Sequence, residues 1–293
     1  MANLKEIRNS IASVSSTRQI TLAMKMVSAA KLRKAQDAVI KMRPYATKLQ
    51  EVLSEVCSNL DSANENALMK PREVKSVLLL VVTSNRGLCG AFNSNILKHA
   101  VLYAQETYPK QYAAGKLHFW CFGKKGGDIY RLKKYQVAGV ESSIFEHLTY
   151  RNTAQFAEDF MAKYLAHEFD RIDLLYNRFK NAAVQTITVE QYLPVPLNTT
   201  KSGKGSKKFY IFEPGEEEII EQLVPKTLKI QLFKALLDSF ASEQGARMTA
   251  MHKATDNATV MIRDLKLKYN KARQASITNE ILEIVSGANA LKE

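Results

Sequence analysis

The stretch from Leu237 to Ala272, LDSFASEQGARMTAMHKATDNATVMIRDLKLKYNKA, decides the fold of this chain. Spacings of four and three residues select from it a mostly apolar or small series: Leu237, Ala241, Gln244, Met248, Met251, Thr255, Ala258, Ile262, Leu265, Tyr269 and Ala272. A repeat of 3.5 residues is the seam of a left-handed coiled coil. Since no proline follows Pro225, the last third of the chain is predicted to be one long helix.

The first sixty residues carry a similar pattern. The same spacing selects Thr17, Thr21, Met24, Ser28, Lys31, Ala35, Ala38, Met42, Tyr45, Leu49, Val52 and Val56. Upstream, Leu4, Ile7, Ile11 and Val14 keep the period, and a slip of phase is predicted between Val14 and Thr17. Pro44 lies inside this helix and predicts a local kink.

The middle of the chain holds most of the glycines and has a different pattern. The run Lys75-Ser-Val-Leu-Leu-Leu-Val-Val-Thr83 is typical of a strand covered on both faces. Further strands are predicted at Lys116–Phe122, Ile172–Phe179, Gln185–Tyr192 and Lys207–Phe212, and helices near Ala91–Tyr108 and Thr153–His167. Strands that alternate with helices predict an α/β domain with Rossmann-like layers and a largely parallel sheet.

The order of these segments predicts the domain organisation. A central domain joins the end of one long helix to the start of the other, so two helices that share a seam must run antiparallel. We therefore expect an N-terminal coiled-coil helix over 1–60, a linker over 61–74, an α/β domain over 75–215 and a C-terminal coiled-coil helix over 216–293. The segment Lys201–Lys208 is expected to be an exposed basic loop.

Composition is that of a soluble folded protein, with 46% hydrophobic and 24% charged residues. The longest aliphatic run, Val77–Val82, is too short to span a bilayer. The N-terminus lacks the apolar core of a signal peptide, and three widely spaced cysteines indicate a reducing compartment. The net charge of +13 implies acidic partners: nucleic acid, anionic lipid or acidic protein surfaces.

Motifs for chemistry are weak. The turn Thr83–Gly90 joins a strand to a helix and could cradle a phosphate, yet it matches neither nucleotide-binding glycine motif, so a structural turn is favoured. Gly123–Gly127 is interpreted as a loop. The histidines have no metal-ligand spacing, and no nucleophile elbow is present. We therefore expect no catalytic site, no metal and no cofactor.

Basic residues cluster on both long helices: Lys25, Lys31, Arg33 and Lys34 on the first, and Arg263, Lys266, Lys268, Lys271 and Arg273 on the last. A solvated helix face explains any one of them. Two clusters together favour a partner that surrounds the helices with acidic loops. A basic coiled coil that binds nucleic acid is the alternative, and a nucleotide-dependent enzyme built on the central domain is a further one.

The last helix resembles one family closely. The motifs Ser242–Met251, Ala254–Asn257, Tyr269–Glu280 and Glu283–Ala288 are similar to those of F-type ATP synthase gamma subunits, as are Ile7-Arg8, Ile11–Val14, Ile20, Met24–Ser28, Lys31–Lys34 and Arg43–Tyr45. Arg86–Gly90 with Asn93, and Tyr176–Phe179, extend the resemblance through the centre. The motifs follow one another in the family's order from end to end.

The resemblance implies a central-stalk rotor without catalytic activity. It implies that the coiled coil turns inside a hexamer of alpha and beta subunits, while the α/β domain binds the epsilon subunit and the c-subunit ring. By motif position, Arg273 and Gln274 are expected to contact the beta subunit, and Gln244, Arg247 and Met24 to take part in coupling contacts. Together with the lack of a transit peptide, it implies a location on the cytoplasmic face of a bacterial inner membrane, with a processed organellar chain as the alternative.

Overall fold

The computed structural model describes residues 4–59, 66–196 and 215–290. By internal packing the chain divides into two units: an α/β unit of residues 29–246, and a coiled-coil unit that contains the residues up to 28 and from 247 onward. Helix α1 spans Leu4–Asn59 and passes through Pro44, and helix α6 spans Glu216–Ala290. The predicted strand Lys207–Phe212 and the basic loop Lys201–Lys208 lie outside the described residues.

The α/β unit contains a five-stranded sheet in the order β3-β2-β1-β4-β5. Its elements are β1 (Val77–Val82), α2 (Phe92–Thr107), α3 (Pro109–Ala113), β2 (Leu117–Phe122), α4 (Lys124–Leu132), β3 (Val137–Glu141), a short 3₁₀ helix (Ser143–Phe145), α5 (Tyr150–Leu165), β4 (Arg171–Phe179) and β5 (Gln185–Leu193). Strands β1 to β4 are parallel, whereas β5 is antiparallel to β4. The predicted largely parallel sheet is confirmed.

Strand β1 lies at the centre because both of its faces are apolar. Leu78, Leu80 and Val82 belong to one buried cluster with α5 and the long helices. Val77, Leu79 and Val81 pack on the other face against α2 and α4. All six side chains of β1 are 0% exposed, which is the burial that an unbroken aliphatic run predicts.

The interpretation of Gly123–Gly127 as a loop is wrong, because α4 begins at Lys124. Gly123 adopts φ 109°, a conformation that favours glycine and turns the chain from β2 into the helix. A Cβ on Gly127 would lie 2.4 Å from a methyl group of Val140. These glycines therefore let a helix approach the sheet closely. In the sequence alone, the same glycines indicate a loop.

The seam of α1 differs from the predicted one at some positions of the α/β unit. Leu32, Val39 and Leu53 are buried, whereas the predicted seam residues Lys31 and Tyr45 are exposed. The other predicted seam positions from Thr21 onward are buried or half-buried: Thr21, Met24, Ser28, Ala35, Ala38, Met42, Leu49, Val52 and Val56. The inward positions of α1 continue from Val14 to Thr21, seven residues later, with the same heptad phase. The predicted phase slip between Val14 and Thr17 is therefore wrong.

In the coiled-coil unit, α1 and α6 pair antiparallel. Arg8 contacts Tyr269, Thr21 contacts Thr255 and Lys25 contacts His252, so partner numbers fall as α1 numbers rise. Most residues between the predicted seam positions of α6 in this unit are exposed. The seam positions themselves are buried or half-buried: Met248, Met251, Thr255, Ala258, Ile262, Leu265, Tyr269 and Ala272. The fold is an α/β domain with a long antiparallel coiled coil.

Candidate partner-binding surface

The seam of the coiled-coil unit is thin and partly polar. Thr255 donates a hydrogen bond to the hydroxyl of Thr21 at 2.9 Å, and small side chains such as Ala258 let the helices approach closely. Arg8 donates to the hydroxyl of Tyr269 at 2.9 Å. This hydrogen bond and the nearby guanidinium charge lower the pKa of Tyr269. Because the contact between the two helices is narrow, their outer faces remain exposed.

Most of the predicted basic residues are exposed. In the coiled-coil unit, all five on α6 are: Arg263, Lys266, Lys268, Lys271 and Arg273. Lys25 is half-buried, with its ammonium group 3.3 Å from Nδ1 of His252. In the α/β unit, Lys31, Arg33 and Lys34 are exposed on α1.

Arg273 and Gln274 are adjacent, exposed residues of α6. They follow Tyr269 by one helical turn, and the Arg273 charge also acts to lower the pKa of that tyrosine. A guanidinium held on a helix at this exposure can bind a carboxylate through two parallel hydrogen bonds. Both side chains are therefore accessible to a partner.

The other three predicted contact residues are less exposed than Arg273 and Gln274. Met24 is half-buried, Gln244 is 5% exposed and Arg247 is 8% exposed. In the α/β unit, Gln244 lies beside Gly245, whose position leaves 3.2 Å between an added Cβ and the backbone of Ala182. Sequence position alone did not distinguish these buried residues from Arg273.

Beyond the basic residues, α6 carries an apolar segment that the described residues leave uncovered. Every side chain from Ile277 to Ala288 is exposed. Four large apolar side chains are at least half exposed: Ile281, Leu282, Ile284 and Val285. Such a contiguous apolar surface on a soluble chain marks a site of contact with another molecule.

The turn Thr83–Gly90 is closed by the chain itself. The backbone N–H of Ser84 donates to Oδ1 of Asn93, whose amide nitrogen donates back to the Ser84 hydroxyl. The Thr83 hydroxyl accepts from the N–H of Gly126 and lies 3.2 Å from the Phe122 carbonyl oxygen. These groups satisfy one another, so the geometry agrees with a structural turn.

A polar network missed by the sequence analysis holds α2 on the sheet. Asp173 of β4 is 0% exposed and accepts hydrogen bonds from the hydroxyls of Tyr103 and Tyr108. Arg171 pairs with the same carboxylate at 2.8 Å. Burial and the Asp173 charge raise the pKa of Tyr108 far above its ordinary value. The network is satisfied internally and its role is to position α2.

Metal and membrane features are also absent from the part of the chain that the structure describes. There, no three histidine, cysteine, aspartate or glutamate side chains are placed to hold a metal ion. None of the described helices combines the length and apolarity that a bilayer crossing requires.

Comparison with known proteins agrees with this architecture. A family model described as ATP synthase matches residues 3–291. The ATP synthase gamma chain of Flavobacterium johnsoniae is 56% identical over 292 residues, which is 99% of both chains. That of Flavobacterium psychrophilum is 55% identical over the full length of both chains. The nucleic-acid-binding alternative finds no support among these matches.

Solved structures show the same fold. A chain from the central stalk and c-ring structure of the Tetrahymena thermophila mitochondrial ATP synthase matches with a TM-score of 0.62 at 25% identity, over 80% of this chain and 99% of that one. A chain of the Euglena gracilis mitochondrial enzyme matches with a TM-score of 0.68 at 22% identity, over 98% and 94%. The chain therefore belongs to the gamma chain family of ATP synthases, the rotor of the central stalk.

Proposed function

We propose that this chain transmits torque between a membrane-embedded c ring and a catalytic hexamer of alpha and beta subunits, without a catalytic site of its own. The coiled-coil unit is the part that turns inside the hexamer. The carrying observation is the exposed surface of α6, which is basic along Arg263–Arg273 and apolar along Ile277–Ala288. A lone solvated helix has no need of that apolar segment, and a surrounding sleeve of subunits would cover it.

The basic faces have a defined role in this proposal. Acidic loops of the beta subunit would approach Arg273 and Gln274 first, because both are exposed. The remaining basic residues of the two clusters would add electrostatic attraction without fixed geometry. Gln244, Arg247 and Met24 are kept as coupling residues. Because Gln244 and Arg247 are buried, we propose that they act mainly by fixing the position of α6 and only secondarily by direct contact.

The α/β domain over 75–215, a part of the α/β unit, serves as the foot of the rotor in this proposal. It would bind the epsilon subunit and the c ring, which places the chain at the membrane through its complex, on the cytoplasmic face of a bacterial inner membrane. We propose the functional division 1–60 and 216–293 for the shaft and 75–215 for the foot, joined by the linker 61–74. No cofactor takes part.

Replacement of Arg273 by Glu tests the proposal. We expect Arg273→Glu to weaken assembly of the catalytic hexamer around this chain and to lower ATP synthesis at least about tenfold, because a carboxylate would face acidic loops. The matched control is Arg151→Glu on α5, which also reverses an exposed arginine. Both variants are measured in reconstituted vesicles for proton-driven ATP synthesis and for co-purifying alpha and beta subunits.

Coupling that is unchanged in Arg273→Glu would contradict the assignment of Arg273. A tagged full chain that co-purifies with no alpha or beta subunit would contradict the rotor function as a whole. Salt-sensitive DNA binding in that same preparation would then favour the nucleic-acid alternative.

A further inference from the structure

We infer that one edge of the sheet is a surface for anionic phospholipid headgroups. This edge is the one at which the parallel strands begin, and we call it the amino-end face. It is defined by five exposed lysines: Lys70, Lys110, Lys116, Lys133 and Lys134. The inference depends on the proposed function only because membership of a membrane-bound complex brings the chain near a bilayer.

The amino-end face is continuous. The N–H of Val77, the first residue of β1, donates to the carbonyl oxygen of Lys116 at 3.0 Å. Helix α3 bridges the starts of the strands, since Gln111 donates to the Val74 carbonyl and accepts, through its own carbonyl, from the N–H of Lys116. An open groove of about 520 Å³ runs between Lys75 and Lys116, with His167 on its wall. The lysines thus lie on neighbouring segments of one edge.

The ion pairs at this edge leave its lysines without neutralising carboxylates. Two arginines of this edge are already used inside the fold: Arg72 pairs with Asp170 at 2.8 Å, and Arg171 pairs with Asp173 at 2.8 Å. A third, Arg131 in the last turn of α4, is exposed and adds to the positive charge. The carboxylates that remain are mostly paired as well, in the contacts Lys75–Glu73 and Lys163–Glu168.

The five lysines of the amino-end face have no ion pair among the described residues. In the same part of the chain, Glu106 is the one carboxylate at this edge without such a pair. The edge therefore has an excess of positive charge that the fold does not neutralise.

The type of cation selects the partner. Arginine binds a fixed carboxylate through its planar fork, and it is enriched at protein interfaces, whereas lysine is a flexible point charge. Here Arg72 and Arg171 are fixed internally, and the exposed cations are mainly lysines, with Arg131 as the exposed arginine among them. A fluid layer of phosphate headgroups needs no fixed geometry, and each lysine near an anionic bilayer raises partitioning roughly fivefold.

The test uses vesicles without any c ring. The hexamer of alpha and beta subunits assembled with this chain is mixed with vesicles of phosphatidylglycerol and phosphatidylcholine, or of phosphatidylcholine alone, and sedimented at low and high KCl. One variant replaces four lysines of the amino-end face: Lys70→Gln, Lys110→Gln, Lys116→Gln and Lys133→Gln. The matched control replaces four exposed lysines elsewhere: Lys41→Gln, Lys98→Gln, Lys124→Gln and Lys180→Gln.

We expect the unchanged complex to bind phosphatidylglycerol vesicles in a salt-sensitive way, and the amino-end variant to lose at least about a hundredfold in affinity. The control variant should lose less than about threefold. Equal loss in the two variants, binding to phosphatidylcholine alone, or binding only when purified c ring is present would overturn the inference. Normal assembly and ATP hydrolysis of the variants separate this outcome from failure of the rotor function.

Discussion

Arg43 joins three elements of the α/β unit through one guanidinium group. Its Nη2 donates to the carbonyl oxygen of Phe179 at 2.6 Å and to Oδ1 of Asp238 at 2.6 Å. Asp238 is almost fully buried on α6, and burial raises the pKa of its carboxyl group, although Arg43 opposes that shift. The arginine therefore links α1, α6 and the end of β4, where both the Arg43–Tyr45 and the Tyr176–Phe179 motifs lie.

Removal of this side chain should be costly. We expect Arg43→Ala to lower the free energy of unfolding by about 3 kcal/mol, because it leaves the Asp238 carboxylate buried without its cation. The double variant Arg43→Ala with Asp238→Asn should lose clearly less than the single variant. Urea denaturation of the purified chain measures both, and a double variant as unstable as the sum of its parts would refute the pairing argument.

At the scale of elements, sequence pattern predicted the strongly apolar parts and missed the mixed ones. Strands β1, β2, β4 and β5 were predicted because apolar runs or alternation mark them. Strand β3 was missed because it is five residues long and contains Gly139, which the Trp120 ring covers closely. Helix α4 was missed because its glycines are there for contact with the sheet, and that reason is visible only in three dimensions.

The seam of α1 shows a subtler limit. A repeat of 3.5 residues can be read with spacings of three then four or of four then three, so every second seam position falls on either of two neighbouring residues. The sequence pattern selected Lys31, whereas the structure buries Leu32. We expect Leu32→Ala to lower the free energy of unfolding by about 2–3 kcal/mol, because it empties a buried site. Lys31→Ala, the matched control one residue away, should change it by less than about 0.5 kcal/mol. Thermal unfolding of both variants decides between the two registers, and equal effects would reject the structural one.

For the molecule as a whole, packing is very uneven between the two units. Every side chain of β1 is fully buried, whereas no side chain from Ile277 to Ala288 is. Helices in proteins draw most of their stability from tertiary packing, so this end of α6 is its least supported part among the described residues. The subunits proposed to surround it would supply the missing contacts.

Amide hydrogen exchange of the full chain tests that view. In the free chain we expect the amides of Val77–Val82 to exchange slowest and those of Ile277–Ala288 to exchange at least about a hundredfold faster. Assembly with alpha and beta subunits should slow the second segment by at least about tenfold and leave β1 unchanged. Equal exchange of Ile277–Ala288 in the free and assembled chain would count against a surrounding sleeve.

The candidate site was predictable in part. Exposure of Arg273 and of the other basic residues of α6 follows from their positions off the heptad seam, which the sequence shows, whereas Lys31 of α1 was placed on the predicted seam. The burial of Gln244 and Arg247 depends on where α6 meets other parts of its unit, and no local pattern reports that. Lysines of the amino-end face were invisible as a group because they come from four separate segments that only the sheet brings together.

The uninterrupted seven-residue period of α1 has a consequence for how such chains change in length. From Leu4 to Val56 the inward positions continue without a break, and Arg18 is the one member that is exposed. Loss or gain of one residue would rotate all later side chains by about 100° about the helix axis and send Leu32, Val39 and Leu53 into water together. Insertion or deletion of a single residue in this helix is therefore expected to destabilise the chain, whereas a change of seven residues keeps the inward positions in phase.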